Sequence, residues 1–121
     1  MDLSTSDTPV LDLLANMTAD SVSASSLDAE TLVLVRIAAL AAVDASTVSY
    51  LLNLEAADQV GLDVEQVRGV LAAIAPIIGT ARVVSATGRI VDALGIALEV
   101  AYAEAEEEAE ELELEAAADR D

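Results

Sequence analysis

Residues 44–61 read DASTVSYLLNLEAADQVG. Asp44 stands where a helix takes its N-cap and Gly61 where one takes the residue after its C-cap, so the stretch predicts a single helix. Within it Ser46, Ser49, Tyr50 and Asn53 place polar groups where a purely apolar packing helix needs none. On the C-terminal side, Asp63 and Gln66 form a capping pair ahead of VRGVLAAIAPIIG, residues 67–79. Pro76 removes an i→i−4 bond there and predicts a kink or a stop. TARVVSATGRIVDALG, residues 80–95, predicts a fifth helix with Gly88 as its weak point, and the chain from Ile96 onward predicts a sixth.

On the N-terminal side, LDAETLVLVRIAALAAV, residues 27–43, is apolar nearly all round and predicts a buried helix. Ser25 with Asp28 approximates its capping box, and SVSASS, residues 21–26, reads as a serine-rich connector. Before it, TPVLDLLANMTAD, residues 8–20, starts a helix with Thr8 as N-cap and Pro9 at the first helical position. Val10, Leu13, Leu14 and Met17 then fall on one apolar face. Residues 1–7, MDLSTSD, are polar and expected to be disordered. No segment shows a period of two and aromatic residues are 2% of the chain, so the expectation is an all-α subunit of about six helices. Its helical domain spans residues 8–103, and residues 104–121 form an acidic C-terminal extension.

At 121 residues the chain is one domain by length. A domain of this size buries about two-thirds of its unfolded surface. Yet 55% of the residues are hydrophobic and the mean hydropathy is +0.51, more apolar than a small monomer can hide. A membrane does not take the surplus. Arg36 interrupts residues 31–43, and residues 69–79 supply about half of the roughly 20 apolar positions that a span requires. MDLSTSD is acidic where a secretory signal has a basic region, so no signal and a cytoplasmic location are expected. Other protein surface remains as the outlet, which predicts a homo-oligomer with extensive apolar interfaces.

The formal net charge is −18, from 23 acidic residues against five Arg and no Lys. That field repels nucleic-acid phosphates and anionic lipid, so neither is an expected partner. Cysteine and histidine are absent. Disulfides, thiolate nucleophiles, the commonest general base and the commonest metal ligands go with them, and no metal or other cofactor is expected.

Residues 104–121 carry ten acidic residues against Arg120 alone, half of the net charge. A solvated acidic tail is one outcome. However, Val91, Leu98, Tyr102, Ala105, Ala109, Leu112 and Ala116, with Gly95 between the first two, keep a spacing of three and four, and Ala, Glu and Leu all favour helix. A helix reaching about residue 112 and then fraying is expected, weakened by Glu–Glu neighbours at i, i+3 and i, i+4.

The series LDAETLVLVRIAALAAVDAS, NLEAADQVG and LDVEQVRGVLAAIAPIIGTARVV resembles the carboxymuconolactone decarboxylase and alkylhydroperoxidase-D superfamily over roughly residues 9–100. LVRIAAL, SYLLNL and APIIGTARVVSA are most similar to a cysteine-free, actinobacterial-type branch of it. The resemblance implies a compact all-helical subunit assembled as a trimer or hexamer. Its peroxidase members carry Cys-x-x-Cys-x-x-x-His on the helix that precedes a glycine. Carried over by counting back from Gly61, the two Cys positions fall on Ser46 and Ser49 and the His position on Asn53. The superfamily's upstream relay glutamate falls near Val33 or Leu34, where no carboxylate stands. A serine hydroxyl forms no disulfide and Asn53 takes up no proton, which excludes thiol peroxidase chemistry. Nucleophilic serine catalysis needs a nearby base. Glu55 and Asp58 are the nearest carboxylates, and both lie around the helix from the serine face. The decarboxylase members resemble a site that uses a histidine this chain lacks.

No catalytic residue is assigned on this basis. Arg36 interrupts a buried helix and Arg82 follows an apolar run, so each is either an anchor for a substrate carboxylate or the partner of Glu30, Asp44 or Glu55. Arg68 and Arg89 are expected at the surface. Ser46 and Ser49 either bond the preceding turn of their own helix or line a pocket, and Asn53 either bridges subunits or lines that pocket. Tyr50 either donates to a ligand or is buried with its hydroxyl satisfied. The expected function is that of a non-redox, self-assembling helical oligomer. One alternative is an enzyme or binder of a small carboxylate or lactone, using Arg36 or Arg82 as anchor and Ser46, Ser49, Tyr50 and Asn53 as lining. Another is an acidic tail that binds cations or a protein partner. It has the oxygen ligands that calcium prefers but not the spacing of a calcium loop.

Overall fold

The computed structural model describes residues 7–119. Five helices follow one another: α1 Pro9–Ala24, α2 Ala29–Ala42, α3 Thr47–Gln59, α4 Val64–Ile78 and α5 Thr80–Ala118. No strand occurs among the described residues, as the absence of a period of two predicts. The expected disorder of residues 1–7 falls, Asp7 excepted, outside the described residues, as does Arg120.

Local capping chemistry sets most helix boundaries. Thr8 and Pro9 hold the N-cap and first helical positions of α1 as expected, but the Thr8 hydroxyl donates to Asp12 Oδ1 at 3.3 Å instead of capping a backbone N–H. Asp28 caps α2 through a 2.8 Å bond from the Thr31 N–H, and that bond holds its carboxyl below the usual range. Ser25 is not that cap; its Oγ accepts from the Leu27 N–H inside the connector. The Asp63–Gln66 box forms in full, with bonds of 2.9 and 3.0 Å in the two directions.

Asp44 was expected to cap α3, and Ser46 does so instead, its Oγ accepting from the Ser49 N–H. Asp44 closes α2. It sits in the left-handed region at φ +54°, the Asp44 N–H bonds the Ala41 carbonyl at 3.3 Å, and the Ala45 N–H bonds the Leu40 carbonyl at 3.0 Å. This is a Schellman closure with aspartate where glycine is usual. The end of α3 repeats it with Gly61 at φ +79°, through Gly61 N–H to the Asp58 carbonyl and Leu62 N–H to the Ala57 carbonyl.

Pro76 lies inside α4, which ends two residues later at Ile78. Gly79, at φ +88°, is the only residue between α4 and α5 and turns the chain in one step. The fifth and sixth helices expected from the sequence are one helix of 39 residues, about 58 Å long at 1.5 Å per residue. Gly88 lowers the helix propensity by about 1 kcal/mol. No break forms at Gly88, where Ala86, Ile90 and Ala93 are all buried and clamp that turn onto the body.

The core is formed by Val33, Ile37 and Ala41 of α2, Tyr50 and Ala57 of α3, Val67 of α4, and Ala86, Ile90 and Ala93 of α5. Alanine at four of these nine positions lets the axes of α2, α3 and α5 approach closely. The expectation of an all-round buried α2 is corrected: one i, i+4 face is buried, while Val35 on the opposite side is 51% exposed. Residue 98 is where α5 leaves the body, and every described position from there to residue 119 is exposed. At the other end of the chain, α1 has no buried residue at all.

Candidate functional site

Ser46, Ser49 and Asn53 fall on one side of α3 by their spacing of three and four. Ser46 Oγ and Ser49 Oγ lie 3.4 Å apart, with Ser46 committed to the helix N-terminus. Asn53 Nδ2 donates to the Ser49 carbonyl at 2.9 Å, which leaves its Oδ1 as a free-standing acceptor type. Tyr50, about 40° further round the helix, points into the core rather than to this face. It is fully buried, and its hydroxyl has no hydrogen-bond partner. Burial pushes the Tyr50 hydroxyl pKa above its ordinary value; the Asp44 carboxylate adds to the shift and Arg89 opposes it. The four polar residues picked out by the sequence therefore do not form one site.

Arg36 and Asn53 do converge. They face a groove of about 530 Å³ between α1, α2 and α3. Leu14 and Met17 of α1, Leu40 of α2 and Leu52 of α3 make its apolar walls. Arg36 is half-buried, and its Nη2 donates to Ser21 Oγ at 3.1 Å and to the Thr18 carbonyl at 3.4 Å. Neither Glu30, Asp44 nor Glu55 pairs with it, and no carboxylate among the described residues lies within ion-pair distance. Thr18 and Ser21 were not singled out in the sequence, because a serine-rich stretch next to a helix end reads as capping and linker chemistry.

Arg82 does not line the groove. Its Nη1 donates to the Ala42 carbonyl, one of the last carbonyls of α2, where a cation also complements the helix dipole. Arg89, expected at the surface, is half-buried: its Nε lies 3.2 Å from Ser85 Oγ and 3.6 Å from Asp44 Oδ1. Arg82, Ser85 and Arg89 follow a spacing of three and four on α5. They tie that helix to the end of α2, and this polar stripe was the signal that could have revealed the contact. Arg68 is at the surface as expected, paired with Glu65.

A second hollow, about 330 Å³ between α3 and α5, is lined by Leu51, Leu54, Leu94 and Leu98 with Glu55 and Asp58 at its edge. Those two carboxylates thus lie on the far side of α3 from Asn53, so no base reaches Ser46 or Ser49 from them. Among the described residues, no three His, Cys, Asp or Glu side chains are grouped to hold a metal, and no helix is long and apolar enough to cross a membrane. What the groove offers is a cation, an amide and a hydroxyl at an apolar surface.

No family model matches this chain, and no curated protein or solved structure is detectably similar to it.

Proposed function

We propose that this chain is a non-redox relative of the carboxymuconolactone decarboxylase and alkylhydroperoxidase-D superfamily and works as a self-assembling helical subunit, with a trimer or hexamer as its assembly. The observation that carries the proposal is α1. Its 16 residues include Val10, Leu11, Leu13, Leu14, Met17 and Val22, all at least half exposed, and none of the helix is buried. An isolated helix of about this length is marginal in water and persists in proteins by burying an apolar face. A single copy of this chain offers α1 no such surface beyond one edge of the groove. A neighbouring copy does: Val43, Val48, Ile77 and Val84 are equally exposed on the body. Support for the superfamily is compositional and positional, namely the all-helical chain and the Ser46–Ser49–Asn53 spacing on the helix that ends at Gly61. With no cysteine or histidine in the chain, thiol peroxide chemistry has no group to carry it.

The test is the mass in solution. Sedimentation equilibrium at micromolar concentration and moderate salt is expected to give three or six times 12.4 kDa. A species at the mass of one chain across that range would overturn the proposal.

A further inference from the structure

We infer that the groove between α1, α2 and α3 is a binding site for a small amphipathic monocarboxylate, held by its head on Arg36 with its apolar body along Leu14, Met17, Leu40 and Leu52. The inference stands apart from self-assembly: Leu14 and Met17 are common to both, and Arg36, Leu40, Leu52 and Asn53 belong to the groove alone.

Four observations lead to it. The first is size: about 530 Å³ lies within the roughly 300–1,000 Å³ typical of small-molecule sites. The second is the state of Arg36. A half-buried guanidinium is a charge partly withdrawn from water, and such charges are normally paired. In a chain with 23 acidic residues a counter-charge is easily found, yet Arg36 meets only two neutral acceptors, the Thr18 carbonyl and Ser21 Oγ. Both bonds use Nη2, and no other donor of the guanidinium meets an acceptor among the described residues. Nε and Nη1 remain open, and a carboxylate that displaces the long Thr18 contact engages Nη2 together with one of them, the two-oxygen geometry for which guanidinium is best suited.

The third is the lack of a second cation in the groove among the described residues. Arg82 is committed to the Ala42 carbonyl and Arg89 to Asp44 and Ser85. One cation in an apolar groove, on a chain of net charge −18, selects a single negative charge over a dicarboxylate or a phosphate. The fourth is Asn53. With one Nδ2 hydrogen bonded to the Ser49 carbonyl, its amide still presents Oδ1 and a second N–H, which suits a ligand hydroxyl that both donates and accepts. Together these describe a medium-chain acid, better still a hydroxylated one.

The experiment titrates the intact chain with octanoate by calorimetry, alongside octanol, suberate and inorganic phosphate as probes. Octanoate is expected to saturate at one per chain, with octanol and suberate each bound about tenfold more weakly or worse, as expected for loss of a charge-assisted pair or gain of a repelled charge. Phosphate is expected not to bind. Arg36→Gln should weaken octanoate about tenfold and Arg36→Lys less, because a single ammonium keeps the charge but loses the fork. Arg68→Gln, at an exposed surface pair, should change nothing. The comparison of octanoate with octanol needs no variant, so it decides the matter even where Arg36→Gln fails to fold. Equal affinity for octanoate and octanol, no saturable octanoate binding, or phosphate binding as well as octanoate would overturn the inference. Because binding is read per chain, it remains measurable whether the protein proves monomeric or assembled.

Discussion

Ser85 Oγ donates a 2.6 Å hydrogen bond to Asp44 Oδ1 across 41 residues of chain. The acceptor is the one non-glycine residue with positive φ among the described residues, at +54°. Aspartate tolerates that region better than most residues, but glycine would fit it without strain. Aspartate is held there by Ser85 and, more loosely at 3.6 Å, by Arg89. Three substitutions separate backbone from side chain. Asp44→Asn keeps an acceptor and a residue suited to left-handed backbone, and loses only an ion pair whose partners are more than a third exposed, so under about 1 kcal/mol is expected. Asp44→Gly relieves the backbone while removing the hydrogen bond, and the two effects should nearly cancel. Asp44→Ala loses on both counts and should destabilise by about 1–2 kcal/mol. Thermal denaturation of the three variants checks that order.

Tyr50 should respond in the opposite sense. Its ring is fully buried but its hydroxyl has no partner, and an unsatisfied buried hydroxyl costs about 1–3 kcal/mol. Tyr50→Phe is therefore expected to match or exceed the parent in stability, whereas Tyr50→Ala should lose about 3–5 kcal/mol through the cavity it leaves. The pH dependence follows from the raised pKa. The folded chain holds the phenolic proton more tightly than the unfolded chain, whose tyrosine titrates near pH ~10. This contribution to stability is complete below that pH and is lost as pH rises through the higher folded value. Melting temperature against pH should fall in strong alkali for the parent and less steeply for Tyr50→Phe.

What could be read directly from the sequence was the chemistry that acts within a few residues. Asp63 and Gln66 are three apart, so their box is decided locally and formed as expected. Asp44 and Ser46 both cap helices, and the sequence near them cannot rank the two. The choice lies with Ser85 and Arg89, far along the chain. Gly88 was read as a weak point by propensity, a small term that burial of Ala86, Ile90 and Ala93 outweighs. Arg36 and Asn53 were visible as polar intrusions in apolar helices, and they share the groove. Tyr50 looked the same by that criterion but sits one step round α3, and one step separates groove from core.

The acidic extension should be separable from the body. From residue 98 to the end of α5 at Ala118 every position is exposed, so nothing in the core leans on it. Deleting residues 104–121 is expected to leave the unfolding free energy of the body within about 0.5 kcal/mol. The segment itself carries nine carboxylates from Glu104 to Asp119 and no described cation, so neighbouring charges oppose its helix. Raising the salt concentration should increase far-ultraviolet helicity in the full chain and not in the truncated one.

Self-association can be tested at α1 without disturbing the groove. Leu11 and Leu13 are 64% and 61% exposed, and neither lines the groove, whose α1 wall is Leu14, Met17, Thr18 and Ser21. In a chain that stands alone, a charge at an exposed position shifts stability by about 0.5 kcal/mol or less. In an assembled one, the same charge is buried against a neighbour without a partner and drives the copies apart. Leu11→Glu and Leu13→Glu are thus expected to dissociate the assembly while octanoate binding per chain persists. Salt gives an independent sign. Copies carrying −18 each repel, and the repulsion is screened over a Debye length of about 10 Å at 0.1 M salt. Association driven by apolar burial against that repulsion should therefore strengthen as salt rises, whereas association through opposite charges would weaken. Sedimentation of the parent and the two variants at low and high salt reads both effects in one series.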